Sequence, residues 1–368
     1  EQWFEVSMQP LLSRMALAPT DGNHDDTPNL NYTYHFNTDK AFNETATVKP
    51  QFDGITYSFV YGDALFMVYS HQDFWRGSYS YANGTSTYLS NDVANWFRDQ
   101  VEKYPDTKWR IAAVHKNLFT GSGHQTDEDG ALFRATLLPV FQELNIDFVI
   151  QGHDHIYEVM GPINNTTKTI VPGSVTNVEL VSPDSNKNPK GQQGGTFNVK
   201  DGTLYFVNGT CGRKRYYPYT QDEMEAGFDK HKVEGYWDLF TGKYGQPGAP
   251  AFSEISVSSS EIEVKTYTSD ANAQATLFDT FKIVKNGNTG IEENKQSAKL
   301  YPTYAKDKIN TTESDIIRVN AIDLTGKIYT LPFDNQHIDV SNLTDGIYVV
   351  QIFTNEKTRS ERIVKTSR

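Results

Sequence analysis

Cysteine is almost missing from this chain: one residue of 368, Cys211, carries a thiol, so no intrachain disulfide braces the fold. Cationic residues are also scarce. Lys and Arg total 34 against 46 Asp and Glu, a formal net charge of -12. That balance excludes a nonspecific nucleic-acid platform, which needs clustered Lys and Arg to replace phosphate counterions. It leaves small phosphorylated substrates open, because bound cations can supply positive charge locally. No apolar run approaches the roughly 18–20 residues that cross a bilayer as a helix. No basic segment followed by an apolar one stands at the start, and neither repeats nor low-complexity tracts occur. The first residue is Glu1 rather than Met, so a longer precursor with any export leader upstream is expected.

What is present suits a chain with real cores. Hydrophobic residues make up 37% and aromatics 13%, and the length favours two domains. Phe4, Met8, Leu11, Leu12 and Met15 predict a helix over 1–16, interrupted at Pro10. "ITYSFVYGDALFMVYS" (55–70) reads as two β runs. Residues 91–104 read as a helix capped by Ser90 or Asn91, burying Val93, Trp96, Phe97 and Val101. "WRIAAVH" is a strand ending at His115, 131–145 a helix, and 146–150 a strand running into "QGHDH". Helix, strand and polar loop thus alternate, as in an α/β fold whose ligand crevice lies beyond the carboxyl ends of its strands. Residues 160–200, rich in Asn, Thr, Pro and Gly, read as long loops, whereas 202–212, 252–268 and 276–285 read as strands. A polar stretch at 286–298 reads as a linker, and short β runs after it form a compact all-β module without a cluster of catalytic residue types.

Five of nine histidines sit in tight motifs: His24 in "GNHD", His115 in "AAVH", His124 in "GSGHQ", His153 and His155 in "GHDH". His35, His71, His231 and His337 read as surface or loop residues. In "GHDH" the imidazoles are at i and i+2 straight after a strand, on one face if extended geometry persists. Such a pair suits zinc, manganese or iron. An HxHxDH metal site needs Asp and His where Tyr157 and Glu158 stand, which excludes that arrangement. Asn23 offers a neutral, hard oxygen donor, and His24 beside it would point toward whatever the metals hold. His124, nine positions after His115 in a Gly/Ser loop, suits a proton donor because its ordinary pKa lets it exist in both forms. Gly62-Asp63 falls inside a predicted strand and reads as no metal site. The aromatics of "KRYYPYT" (214–220) either pack a loop or line a pocket.

The ordered set "GNHD", "AAVH", "GHDH" resembles the third, fourth and fifth motifs of the calcineurin-like metallophosphoesterase superfamily, most nearly its purple-acid-phosphatase-like branch. "HIYEV" is similar to that family's HxYER, with Val159 in place of Arg, and "GTLYFVNGTCG" and "LFDTFKIVK" look like family strands. The resemblance covers residues 1–285. It implies an α/β fold, a two-sheet αββα sandwich lacking its first strands, followed by a small all-β sandwich at 299–368. It implies Asn23, His115 and His153 on one metal and His155 on the other. It also implies His24 and His124 at the phosphoryl group, with His124 the acid for the leaving group. The implied cofactors are two divalent or trivalent transition metals, Fe, Zn or Mn. The family's first two motifs, an Asp-bearing strand end and a GDxxY-type segment, would precede "GNHD". Only 22 residues precede Asn23, and Asp21 is the sole Asp among them. The chain as it stands is therefore expected to bind metal weakly and turn over poorly.

The tail has a resemblance of its own. "DLTGK", "IDVSNLTDGIYVV" and "RIVK" resemble the C-terminal sorting domain of type IX secretion in Bacteroidetes, with "YPTY" (301–304) where YPNP usually stands. That implies the type IX machinery as partner and a location outside the cell or on its surface. The expected function is a secreted phosphatase acting on phosphate monoesters through a dinuclear metal-activated hydroxide. The alternatives are a phosphodiesterase or nucleotidase of the same superfamily, or a non-catalytic surface protein with an incomplete site.

Overall fold

The computed structural model describes residues 14–25, 36, 56–70, 90–184, 187–226, 233, 235–285, 304–311, 315–323, 325, 327–334, 336–354 and 358–367. Of the helix expected over 1–16, residues 1–13 lie outside these residues and 14–16 are not helical; the linker expected over 286–298 and His35, His71 and His231 also lie outside them. The chain divides into two compact units, Glu1–Asn288 and Thr289–Arg368.

The first unit begins with β1 (Tyr57–Tyr61), β2 (Ala64–Val68), α1 (Ser90–Lys103), β3 (Trp109–Ala113), α2 (Glu128–Glu143) and β4 (Phe148–Gln151). It continues with β5 (Tyr157–Asn164), β6 (Thr169–Ile170), β7 (Val175–Leu180), β8 (Gln192–Asn198), β9 (Thr203–Asn208) and α3 (Gln221–Ala226). Strands β10 (Phe240–Gly245), β11 (Ala251–Val257), β12 (Glu261–Ser269) and β13 (Ala275–Val284) complete it. The larger sheet has the order β1-β2-β3-β4-β9-β5-β10, with β6 beside β5; the smaller has the order β11-β12-β13-β8-β7. Strands β2, β3, β4 and β9 are mutually parallel, so their carboxyl ends share one rim.

The sheets stack because these strands are apolar on both faces, the pattern of a buried parallel sheet. Alternate residues Leu65, Met67, Ala112, Val149, Tyr205 and Val207 enter a core with Trp96 and Phe97 of α1 and Phe133 and Phe141 of α2. Their neighbours Ala64, Trp109, Ile111, Phe148, Leu204 and Phe206 enter a second core against Phe197, Val264, Phe281 and Ile283 of the smaller sheet. Each large side chain so buried stabilises the fold by roughly 1.5–3 kcal/mol. Trp109 Nε1 also donates to Ser258 O at 2.6 Å, tying the two sheets together.

Two readings from the sequence need correction. Residues 160–200 are not long loops, for β5 to β8 run through them. Their alternation is hidden because β8 is "QQGGTFN", half-buried at almost every position. Gly62-Asp63 does not lie in a strand but forms the turn between β1 and β2, with Gly62 at φ 57°.

The second unit is all β. Its strands are β14 (Tyr304–Ala305), β15 (Lys308–Asn310), β16 (Ile316–Asp323), β17 (Ile328–Thr330), β18 (His337–Asp339), β19 (Gly346–Thr354) and β20 (Thr358–Lys365). One sheet has the order β14-β20-β19-β16-β17, and β15 pairs with β18. Val319, Ala321, Ile338, Val340, Val350, Ile352 and Ile363 fill its core. In "DLTGK" the Asp323 carboxylate accepts from Thr325 N at 2.9 Å and Lys327 N at 3.0 Å, fixing the turn between β16 and β17. Those donors, led by the Thr325 hydroxyl, hold the carboxyl down at about 2. His337 lies on β18 with Nδ1 3.1 Å from Asp334. Among the described residues of the whole chain, no helix is long and apolar enough to cross a membrane.

Candidate active site

Beyond the carboxyl ends of β3 and β4 the chain turns into "VHKN" and "GHDH", placing His115 and His153 on one rim. Gly152 N donates to His115 O at 2.9 Å, which joins the two loops. The "GNHD" segment reaches the same rim from another direction. Tyr57 OH donates to Pro19 O at 2.6 Å and Ser70 Oγ to the buried Asp21 at 2.8 Å. A turn closed by Asp25 N donating to Gly22 O at 3.0 Å then presents Asn23.

The result is a convergence of three motifs on the His115 ring. A Cβ on Gly22 would lie 3.4 Å from the ring carbons, and one on Gly152 would lie 3.2 Å from Nδ1. The glycine of each motif thus provides the space in which the ring sits. His115 Nε2 lies 2.9 Å from Asn23 Oδ1. Burial foremost, then the charges of Lys116, His155, His24 and His124, lowers the His115 pKa to about 4. The ring is therefore neutral at ordinary pH and keeps a lone pair for a metal. Exposed His24 is near enough to contribute to that depression.

His153 departs from the extended geometry expected of it. Its φ is 64°, a left-handed conformation that costs a non-glycine residue of order 1 kcal/mol. In this conformation its ring centroid stands 5.1 Å from that of His115 and 3.8 Å from that of His124. His155 goes elsewhere on the rim, stacked on Tyr216 at 5.0 Å. Its Nδ1 donates to Lys214 O at 2.8 Å, a tautomer that leaves Nε2 with the lone pair. Asn23, His115, His153 and His124 are therefore joined by direct contacts, whereas His155 and His24 adjoin them.

Carboxylates that sequence reasoning missed surround the cluster. Asp127 Oδ2 lies 2.7 Å from His124 Nδ1. Ligand atoms of His124, Asp127 and His153 lie within 4.8 Å of one another, close enough to hold a cation. Beneath them Asp154 and Glu158 are fully buried. Thr120 Oγ1 donates to Asp154 at 2.5 Å and lies 3.1 Å from Glu158, Gly121 N donates to Glu158 at 2.8 Å, and His124 N to Asp154 at 3.3 Å. Burial raises both carboxyls, and the Asp154 charge raises Glu158 further. The donor set, imidazole nitrogens with amide and carboxylate oxygens, fits a first-row transition metal. The two facing atoms of Asn23 and His115 are the kind of pair that a shared cation bridges.

Residues 1–157 match the calcineurin-like phosphoesterase family and residues 299–366 match the secretion system C-terminal sorting domain. Purple acid phosphatase 5 of Arabidopsis thaliana is 26% identical over 176 residues, 47% of this chain and 34% of that protein. An uncharacterized protein of Mycobacterium tuberculosis is 27% identical over 134 residues, 33% of this chain and 24% of its own length. The aligned part of the chain thus spans about a quarter to a third of these curated relatives. Among solved structures, the purple acid phosphatase PPD1 from yellow lupin (Lupinus luteus) seeds aligns over 77% of this chain and 44% of its own, with 14% identity and a TM-score of 0.41. Residues 1–157 are thus similar to calcineurin-like phosphoesterases, with purple acid phosphatases among their relatives, and a sorting domain at residues 299–366 marks the chain for secretion or the cell surface.

Proposed function

We propose that this protein is a secreted phosphatase that hydrolyses phosphate monoesters at a two-metal centre, exported by the type IX secretion machinery. Asn23, His115 and His153 hold one ion of Fe, Zn or Mn, and His155 contributes to a second. The observation that carries the reading is the pairing of Asn23 Oδ1 and His115 Nε2, 92 residues apart in sequence, at 2.9 Å. Two ions bound there would supply Lewis acidity toward phosphate oxygens and a hydroxide at neutral pH.

The side chains divide the remaining work. Burial keeps His115 neutral, so its lone pair remains available. The Lys214 carbonyl sets the His155 tautomer. His24, exposed at the rim, contacts the phosphoryl oxygens. Asp127 orients the His124 ring through Nδ1, leaving Nε2 to give its proton to the departing oxygen. None of the four side chains assigned to the ions, Asn23, His115, His153 and His155, is a carboxylate that could bridge two cations, so metal retention is weak and turnover low.

The test is metal analysis after reconstitution with Fe, Zn or Mn, combined with hydrolysis of a monoester and a diester. The expected result is bound transition metal and monoester hydrolysis, both falling at least tenfold in His115→Ala. Absence of stoichiometric metal with no hydrolysis of either ester overturns the reading. Cleavage of the diester alone overturns the monoester assignment.

A further inference from the structure

Beside the histidine cluster opens a cavity of about 500 Å³ whose lining includes Ser122, Gly123, Arg215, Tyr216, Tyr217 and Glu223. Its wall, residues 215–220, is fastened to both histidine loops. Tyr216 N donates to His155 O at 3.2 Å and Tyr219 N to Gly121 O at 2.8 Å. Ser122 Oγ donates to Tyr217 O at 2.8 Å, and Tyr244 OH to Tyr219 O at 2.9 Å. Tyr216 connects cavity and cluster, stacking on His155 at 5.0 Å and meeting the His124 ring edge-on at 5.6 Å. A group held in this cavity is therefore next to the histidine that protonates the leaving oxygen.

The cavity has a definite chemical character. Tyr217 is 67% exposed although its carbonyl is anchored. Arg215 is exposed, and none of the ion pairs among the described residues involves it. Glu223, the acid on this wall, is occupied by the Thr220 backbone N–H at 2.7 Å. In a chain of net charge -12, Arg213, Lys214 and Arg215 place three consecutive cations at this one edge. A flat ring and a guanidinium fork lining one cavity suit a planar aromatic group bearing a carboxylate or phosphate.

We propose that this cavity seats the leaving group and selects aromatic phosphate esters with a further anionic substituent, the ring on Tyr217 and the anion on Arg215. The proposal rests on the phosphatase reading above. It is tested by measuring kcat/KM on 4-carboxyphenyl phosphate, phenyl phosphate and glycerol 2-phosphate. An exposed ion pair is worth only a few-fold, so Arg215→Ala is expected to cost about three- to tenfold more on the carboxylated ester than on phenyl phosphate. Arg215→Lys, which keeps the charge and loses the fork, restores part of that difference. Tyr217→Ala is expected to cost about fivefold more on phenyl phosphate than on glycerol 2-phosphate, the size of one lost ring contact. Both side chains are exposed, so neither change threatens folding. Equal losses on all three esters overturn the pocket assignment and leave the phosphatase reading standing. No hydrolysis of any ester by the metal-loaded wild type overturns the phosphatase reading and this proposal with it.

Discussion

The arrangement under His124 makes Thr120 a demanding test. Its hydroxyl is buried, donates to Asp154 at 2.5 Å and lies 3.1 Å from Glu158. Thr120→Val replaces the hydroxyl by a methyl of similar size, so it creates no cavity and keeps the β-branched shape. The backbone contacts with Tyr236 are untouched, since Thr120 N donates to the Tyr236 hydroxyl and Thr120 O accepts from it. What is lost is a short hydrogen bond to a buried carboxyl, together with the polar atom nearest a second. Removing a donor from a buried charged acceptor costs about 2–3 kcal/mol. For a unit of this size about 1 kcal/mol moves the unfolding midpoint by roughly 2–4 °C, so a fall of about 5–10 °C is expected.

Tryptophan fluorescence reads this cleanly. All five tryptophans, Trp3, Trp75, Trp96, Trp109 and Trp237, precede the second unit. Thr120→Ser is the control, keeping the donor and losing one methyl for about 1 kcal/mol. A Val variant within about 0.5 kcal/mol of wild type, or a Ser variant as damaged as Val, would refute the reasoning. In the first case the hydroxyl carries no weight; in the second, packing rather than hydrogen bonding explains the loss. Because Asp154 also accepts from His124 N, the Val variant should lower kcat more than it raises KM.

Two further predictions follow from burial and close approach. Gly152→Ala puts a Cβ 3.2 Å from His115 Nδ1 and 3.4 Å from the His115 carbonyl. The ring must move, and metal retention measured after dialysis should fall at least tenfold while the far-ultraviolet dichroism stays unchanged. The second concerns Asp147, buried and paired with Lys285 at 2.8 Å, whose pKa is raised from 3.8 to about 6, chiefly by burial. A raised acid binds its proton more tightly folded than unfolded, so its contribution is largest below 3.8 and is lost as pH climbs to about 6. The difference amounts to about 3 kcal/mol. Asp147→Asn, which does not titrate, should therefore gain on wild type by up to that amount between pH 4 and pH 7 in urea unfolding. A difference that stays flat with pH, or reverses, contradicts the burial argument.

The parts of this architecture visible in sequence are those written in apolar spacing. Strands β2, β3 and β4 could be found because both their faces are buried, leaving continuous runs such as "ALFMV" and "FVIQ". Helix α1 could be found because Val93, Trp96 and Phe97 recur at helical spacing and enter one core. Strands β7 and β8 could not, because "VTNVEL" is exposed or half-buried throughout and "QQGGTFN" carries glycines where side chains would mark the alternation. The site divides along the same line. His115 and His153 end apolar runs and belong to a type with only nine members, and Asn23 stands beside His24 in "GNHD", so the order of these motifs along the chain singles them out. Asp127, Asp154 and Glu158 are three of 46 acids, and nothing in one dimension separates them from surface charge. The role of Asp127 comes from its contact with His124, and that of Asp154 and Glu158 from burial beneath His124 and from Thr120, a residue with no catalytic signature, placed between them. Tyr216 shows the same limit. "KRYYPYT" reads first as a packed loop and second as a pocket wall, and both descriptions apply: the backbone of the loop is fastened to the histidine loops, while Tyr217 and Arg215 stay exposed beside the cavity. Spacing can therefore locate a rim where cations would bind, but the charges that orient it and the wall that selects its substrate are products of contacts between segments far apart in the chain.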